Sequence, residues 1–435
     1  MIRRYLKKEL TRTLDAMADP STRLIVSVRR DATNFSSSED LVTPDGSLVP
    51  ARQLATCLQS DRAKKCQTVV LDLALIHVDD VYLALNGVAE GWSAESRLMS
   101  VSYSRFWRPF VRGSRLLSAA QHLEETWIPP DEIVNQLEQT GFEVIERRTA
   151  VIFPLPIPII SVLFNRLLAP LPIIRHFCIY NIIIARPISI TRPAEPSVSI
   201  VVAARNESGN IGPLVHRIPQ LSSRQELVFI EGGSTDDTWD AIQEVKKNPP
   251  LSGMTIKAFK QQGIGKGDAV RLGFAEASGD IIIILDADIS VPPEELTRFI
   301  ELLRNNVCEF ANGSRLLYPM EKQAMQFLNL VGNRLFGAIF TFLLGQPVRD
   351  TLCGTKALWA HDYLRIARQR KYFGDFDPFG DFDLLFGAAR LHLKIRDVPV
   401  HYKERVYGST NISRFRHGLL LFRMTLVAAR KLRFV

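Results

Sequence analysis

Residues 279–290 read Gly-Asp-Ile-Ile-Ile-Ile-Leu-Asp-Ala-Asp-Ile-Ser. Four isoleucines and a leucine in a row show no alternation, the pattern of a short strand covered on both faces inside a parallel sheet. The run stops at Asp286 and Asp288, so two carboxylates stand where a buried strand reaches water. Ligands of open α/β sheets bind at the carboxyl ends of the strands. Two hard oxygen donors one residue apart suit Mg²⁺ or Mn²⁺, and such an ion would bridge diphosphate oxygens. The alternative is a strand-to-loop turn in which aspartate serves turn geometry alone.

The chain has 435 residues, a length for about two to three domains. A formal charge of +8 favours anionic partners, among them phosphorylated ligands and acidic lipid surfaces. No run of five or six basic residues occurs, and nucleic acid is not an expected partner. The five cysteines are scattered and lack paired C-x-x-C spacing, which argues against zinc or redox work and for a reducing, cytoplasmic setting. The basic N-terminus is followed by polar residues where a secretion signal needs an apolar core.

In chain order, 22–30 and 67–77 read as strands, with a Ser/Asp-rich loop at 31–47 between them. Apolar residues at helical intervals follow over 78–90, and 97–103 is a further strand. Residues 127–148 give a helix opened by Pro-Asp-Glu, a stop at Gly141 and a strand from Phe142. This series, with His77-Val78-Asp79-Asp80 after a strand and Gly141-Phe142-Glu143-Val144 after the helix, resembles the C-terminal half of a class I S-adenosylmethionine methyltransferase over about residues 60–188. That family opens on a glycine-rich turn, and the first 60 residues hold a single glycine, Gly46. The expectation is a smaller, degenerate α/β domain over 1–190 without methyl transfer, with His77, Asp79 and Asp80 as remnants or helix caps. Residues 151–184 are strongly apolar, yet five prolines with Arg166 and Arg175 break any spanning helix. They read as buried loops and a closing strand, or as a surface touching the bilayer. A proline-rich linker over 186–197 sets a boundary near 192.

Beyond the linker, strands at 198–203, 226–231 and 281–285 alternate with helical segments, the pattern of a doubly wound, mostly parallel sheet over 191–435. SIVVAARNESGNI, ELVFIEGGSTDDT, GIGKGDAVRLGFAEASGDIIIILDADI, RDTLCGTKALW and the run from FGDFDLLF to YGSTNI, spanning about 197–412, together resemble glycosyltransferase family 2 with its GT-A fold. The Asp-Thr-x-Cys-Gly-x-Lys-Ala block is similar to the dolichyl- and polyprenyl-phosphate sugar transferase branch. The resemblance implies a nucleotide-sugar donor, an inverting transfer, and a lipid-phosphate or hydroxyl acceptor.

By the same resemblance Glu231 and Asp236 contact the base and ribose, Arg205 and Glu207 the nucleotide, and Asp286 with Asp288 the metal. Lys266 lies near the diphosphate. Its Gly263-Ile264-Gly265-Lys266-Gly267 turn is neither a Walker motif, since no Ser or Thr follows the lysine, nor a dinucleotide fingerprint, since Asp268 replaces the third glycine. Glu231-Gly232 stands where the family carries Asp-Asp, which leaves the base open. Asp381 matches the family's base-carrying aspartate, with Gly380 in place of its glutamate partner, and Asp383 is the second candidate. A helix start acidified for its dipole is the plain alternative. Arg405, ahead of Tyr407-Gly408-Ser409, matches a loop that closes over the diphosphate. Apolar helices are expected at 325–345 and 418–429. The second is bracketed by arginines and suits either sheet packing or an anionic membrane surface at the inner face of the membrane. A nucleotide-binding scaffold without activity, or a methyltransferase completed by a partner chain, are the other readings.

Overall fold

Apolar strands fenced by polar turns build two sheets in this computed structural model, which describes residues 2–29, 39–42, 48–110, 126–188, 192–250, 253–318, 327–372, 380–404, 407 and 414–434. The chain divides into two compact units, Met1–Thr191 with Arg430–Val435, and Arg192–Ala429. The mixed α/β class with parallel-rich sheets agrees with the expectation from sequence.

The first unit holds β1 (Arg23–Arg29), β2 (Glu39–Val42), β3 (Thr68–Asp72), β4 (Arg97–Tyr103), β5 (Phe142–Ala150) and β6 (Tyr180–Pro187), in the order β2-β1-β3-β4-β6-β5. The first four run parallel, and β6 lies antiparallel between β4 and β5. Alternate side chains face two cores: Val69, Leu71 and Leu98 meet Leu54, Leu58, Ile133 and Leu137, while Val70 and Met99 meet Leu10 and Leu14 of the N-terminal helix. Two expectations need correction. Residues 39–42, inside the stretch read as loop, form β2 because Leu41 is drawn into the core. The strand expected over 67–77 stops at Asp72, since Leu73 turns to φ 58° and a 3₁₀ turn, Ala74–His77, follows. Asp79 Oδ1 accepts the Ala51 N–H (2.7 Å) and Asp80 Oδ1 the Leu83 N–H (2.9 Å), so both aspartates hold helix starts.

The second unit holds β7 (Val198–Ala204), β8 (Gln225–Glu231), β9 (Met254–Lys260), β10 (Ile281–Ile284), β11 (Phe310–Ser314), β12 (Lys356–Trp359) and β13 (Ile395–Pro399), in the order β13-β11-β12-β10-β7-β8-β9. Only β12 among these runs antiparallel to its neighbours. All four isoleucines of β10 are buried, two of them in the main core with Phe229, Leu296 and Phe299. Parallel β9, β8, β7 and β10 therefore open their carboxyl ends along one edge. The two apolar segments form helices Phe327–Leu344 and Arg414–Ala428. Among the described residues no helix is long and apolar enough to cross a membrane.

Candidate active site

The site is built where β7, β8 and β10 end. At the end of β7, Asn206 adopts φ 58°, a left-handed turn that asparagine tolerates, and its Oδ1 accepts the Thr235 N–H at 2.8 Å. The Glu207 N–H donates to Thr238 Oγ1 (2.9 Å), and Glu207 Oε2 accepts from Asn210 Nδ2 (2.6 Å). Exposed Arg205 stands beside Gly232, which ties β8 back to β7 through its N–H to Ala204 O (2.9 Å). The two turns are thus laced into one platform.

Glu231 is buried at the end of β8 and accepts the Ser234 N–H at 2.5 Å. Asp236 accepts from the Thr238 and Ser208 N–H groups (3.1 and 3.2 Å) and from the hydroxyls of Thr238 and Tyr407. Burial alone would raise the Asp236 pKa, but the hydrogen bonds from Thr238 and Ser208 outweigh it and hold the carboxyl below its ordinary range. Its carboxylate organises the platform.

At the end of β10, Lys266 Nζ lies 2.6 Å from Asp286 Oδ1. Asp288 is 6% exposed, and its Oδ1 accepts the Ser290 N–H at 2.9 Å. Lys266 opens the helix Lys266–Glu276 behind Gly265 at φ 92°, and Gln261 Nε2 pins that turn through Gly265 O (2.8 Å) and Asp268 Oδ2 (3.0 Å). The Lys266 ammonium thus faces the Asp286 carboxylate. Asp286 and Asp288 together would suit Mg²⁺ or Mn²⁺, which keep waters and take substrate phosphate oxygens rather than a full protein cage. No group of three or more His, Cys, Asp or Glu occurs among the described residues that would hold a metal by itself.

Gly354, which sequence reading quoted only within a block, closes the other side. A methyl group on it would run into Asp286 Oδ2 and Lys266 Nζ, so its hydrogen is what lets the loop touch the pair. Gly354→Ala is expected to spread Asp286 from Lys266, and, if the site turns over the donor that the resemblance implies, to cut that turnover about 10- to 100-fold, an effect of the kind caused by an ångström-scale misplacement. Thermal unfolding should move little, and steady-state kinetics beside a melting curve checks both halves of the expectation.

The acceptor-side candidates enter from another element. The helix Asp381–Arg390 begins after Gly380 at φ 73°, and a Cβ on Gly380 would stand 3.0 Å from Gly267 Cα. This approach sets the start of that helix beside the Lys266 turn. Asp383 is buried, with its Oδ2 3.7 Å from Arg370 Nε, and so faces a cation of its own. The Asp381 side chain and Arg405 lie outside the described residues. The chain leading to Arg405 is anchored to the Asp288 loop, since the Lys403 N–H donates to Ser290 O (2.9 Å) and His401 contacts Glu295 through its Nδ1 (2.5 Å).

Comparison with known proteins identifies the architecture around these groups. Residues 199–364 match the family described as glycosyl transferase family 2. This stretch is similar to family 2 glycosyl transferase domains. It carries Arg205, Glu207, Glu231, Asp236, Lys266, Asp286 and Asp288, and ends before Asp381, Asp383 and Arg405. A dolichol-phosphate mannosyltransferase of Pyrococcus furiosus is 35% identical over 167 residues, 37% of this chain and 46% of that protein. A dolichyl-phosphate hexose transferase of Haloferax volcanii is 26% identical over 222 residues, 51% of this chain and 89% of that protein. The chain therefore spans less than half the length of the first of these relatives. Among solved structures, glucosyl-3-phosphoglycerate synthase of Mycobacterium tuberculosis, in complex with Mn²⁺, UDP and glucosyl-3-phosphoglycerate, is similar at 21% identity and a TM-score of 0.40, over 56% of this chain and 86% of that one.

Proposed function

We propose that the second unit, a GT-A domain from about residue 191 onward, transfers a sugar from a nucleoside-diphosphate donor to a lipid phosphate, with inversion and with Mg²⁺ or Mn²⁺. The observation that carries this reading is the Asp286–Lys266 pair beside buried Asp288 at the end of β10, inside a family 2 domain. Asp286 and Asp288 would hold the metal, which supplies charge neutralisation for the departing diphosphate. Lys266 and Arg405 would add positive charge to the same oxygens. The platform of Arg205, Glu207, Glu231 and Asp236 would take the nucleoside.

The names of the relatives favour a lipid-phosphate acceptor. A phosphate monoester is already anionic at neutral pH and needs no base, whereas a hydroxyl must lose its proton as the new bond forms. Asp381 and Asp383 are then acceptor-positioning groups. Asp381→Asn is expected to lower turnover by less than about tenfold with a polyprenyl phosphate, because general-base removal typically costs 10²–10⁴-fold. A loss of that larger size, measured with the same acceptor, would move the assignment to a hydroxyl. On this reading the chain works in the cytoplasm, peripheral at the inner face of a membrane.

We further propose that the first unit, about residues 1–190, is a truncated methyltransferase-like domain that packs or docks and does not transfer methyl groups. The reversed β6 between β4 and β5 supports the kinship. The lack of glycine after β1 and the use of Asp79 and Asp80 as helix caps support the loss of activity. Calorimetry of the full chain with S-adenosylmethionine should give no heat of binding up to about millimolar ligand, a level at which even about 4 kcal/mol of affinity registers. Saturable binding would revive methyl transfer.

A further inference from the structure

We propose that residues 155–177 of the first unit, with Phe106 and Phe110, form a surface that inserts into an anionic phospholipid bilayer. This holds whether or not the second unit transfers sugar. The segment is anchored from within. Buried Asn165 accepts the N–H groups of Ile152 and Phe153 through Oδ1 (2.9 and 2.8 Å) and donates through Nδ2 to Tyr5 Oη and Phe153 O, both at 3.0 Å. Cys178 Sγ reaches Ala169 O at 3.6 Å. So fastened, the segment turns its apolar side chains outward: Ile159 is 81% exposed and Ile173 80%, with Leu163, Leu167 and Phe177 exposed between and beyond them.

One turn makes the outward display costly to maintain. Ile159 sits at φ 67°, ψ −56°, and the Ile160 N–H donates back to Pro158 O at 2.7 Å, which is a positive-φ γ-turn. That conformation is strained for any residue and more so for a β-branched one, and strain of this kind persists only where the surrounding structure holds it. Here its product is an isoleucine at the tip. Phe106 extends the patch, since its ring meets Phe177 edge-on at 5.4 Å and the Trp107 Nε1–H donates to Phe177 O at 2.8 Å.

Charge selects the occupant. No Asp or Glu occurs from residue 147 to 194, whereas Arg105, Arg175 and His176 are exposed at the margins. Clustered exposed apolar side chains of this kind mark an interaction site. Apolar tips with a basic rim, on a segment that carries no carboxylate of its own, match acyl chains beneath anionic headgroups, to which each surface arginine adds roughly a fivefold gain in affinity.

Vesicle co-sedimentation of the full chain tests this. The protein should pellet with phosphatidylcholine vesicles carrying about 30 mol% phosphatidylserine and much less with phosphatidylcholine alone, the dependence expected of a basic rim. The double variant Ile159→Ser, Ile173→Ser should bind the anionic vesicles about 10- to 100-fold more weakly, from the apolar area lost to insertion. Both positions are on the surface, and an unchanged circular dichroism spectrum secures that comparison. Arg175→Ala should lose about fivefold on anionic vesicles and nothing on neutral ones. Equal binding by wild type and double variant overturns the proposal. So does a wild-type chain that ignores vesicles but self-associates in sedimentation velocity while the double variant is monomeric, which would assign the face to a second copy.

Discussion

Asp288→Ala is expected to lower kcat/KM for sugar transfer about a thousandfold, the several kcal/mol that a divalent ion contributes at a developing diphosphate charge. The aspartate is buried at the end of β10, and its Oδ1 is already oriented by the Ser290 N–H. That hydrogen bond fixes the carboxylate in place, so on the proposed reading an ion would meet an oriented ligand. Removing the side chain also frees the buried Ser290 N–H, a local cost of about 1–3 kcal/mol, while the strand behind it is secured by four buried isoleucines. The variant should therefore stay folded. Donor titrations provide the sharper check: in chelator, wild type and variant should bind the donor equally weakly, and added Mn²⁺ should tighten only the wild type. Activity within about threefold of wild type would remove Asp288 from the metal site, since a loss that small is under 1 kcal/mol.

Asp350→Ala is expected to destabilise the second unit by about 3–5 kcal/mol, the cost of breaking a buried ion pair and leaving one charge behind. Asp350 is fully buried and grips Arg315 through Nε–H···Oδ2 (2.7 Å) and an Nη2–H···Oδ1 bond (2.9 Å). It also accepts the Arg315 and Leu352 N–H groups, both at 3.0 Å. Burial would push the Asp350 carboxyl up, but the Arg315 charge and hydrogen bonds win and hold it below the usual range. Because the folded value lies below the unfolded one, the stabilisation is present above about pH 4 and is lost as pH falls through the folded value. Urea unfolding followed through the second unit, at pH 7 and below about pH 4, reads both effects. Replacing both partners with apolar residues, Asp350→Leu with Arg315→Met, should recover much of the loss, since no charge is then stranded. The functional consequence is local: Asp350 caps the turn that delivers Gly354 to Asp286 and Lys266. A change below about 1 kcal/mol in the single variant would mean that Arg315 finds another partner. Asp397, which shares the Asn312 amide with Asp350, has its own carboxyl held above the usual range by burial, with the Asp350 charge adding to the effect.

The β10 run was legible because four buried isoleucines leave no alternative to a covered strand, and its terminal aspartates follow from sheet geometry. The β7 and β8 ends were legible for the same reason. The segments that escaped are those whose burial depends on partners elsewhere. Phe-Ala-Asn-Gly-Ser has weak strand propensity, yet β11 forms because Asn312 Nδ2 donates to Asp350 O (2.9 Å) and Asp397 Oδ1 (2.8 Å), which no local pattern reveals. Met254–Lys260 reads as polar alternation and becomes edge strand β9 through pairing with β8. Glu39–Val42 lies in a polar stretch and is drawn into place beside β1. At the site, the carboxylates could be named from sequence, but not the Lys266–Asp286 pair or the closeness of Gly354, since these join residues 20 and 68 positions from Asp286 along the chain. A glycine in a tight block was the available signal for Gly354, and only the neighbours show what it makes room for.

Calorimetric titration of the full chain with UDP-, GDP- and CDP-sugars, in Mn²⁺, in Mg²⁺ and in chelator, tests the central claim most directly. The account predicts that one donor binds, that chelator weakens it at least about tenfold, and that the preferred base reports how the Glu231-Gly232 platform reads the nucleoside. Folded protein that binds none of the donors, or binds one equally well in chelator, would contradict it.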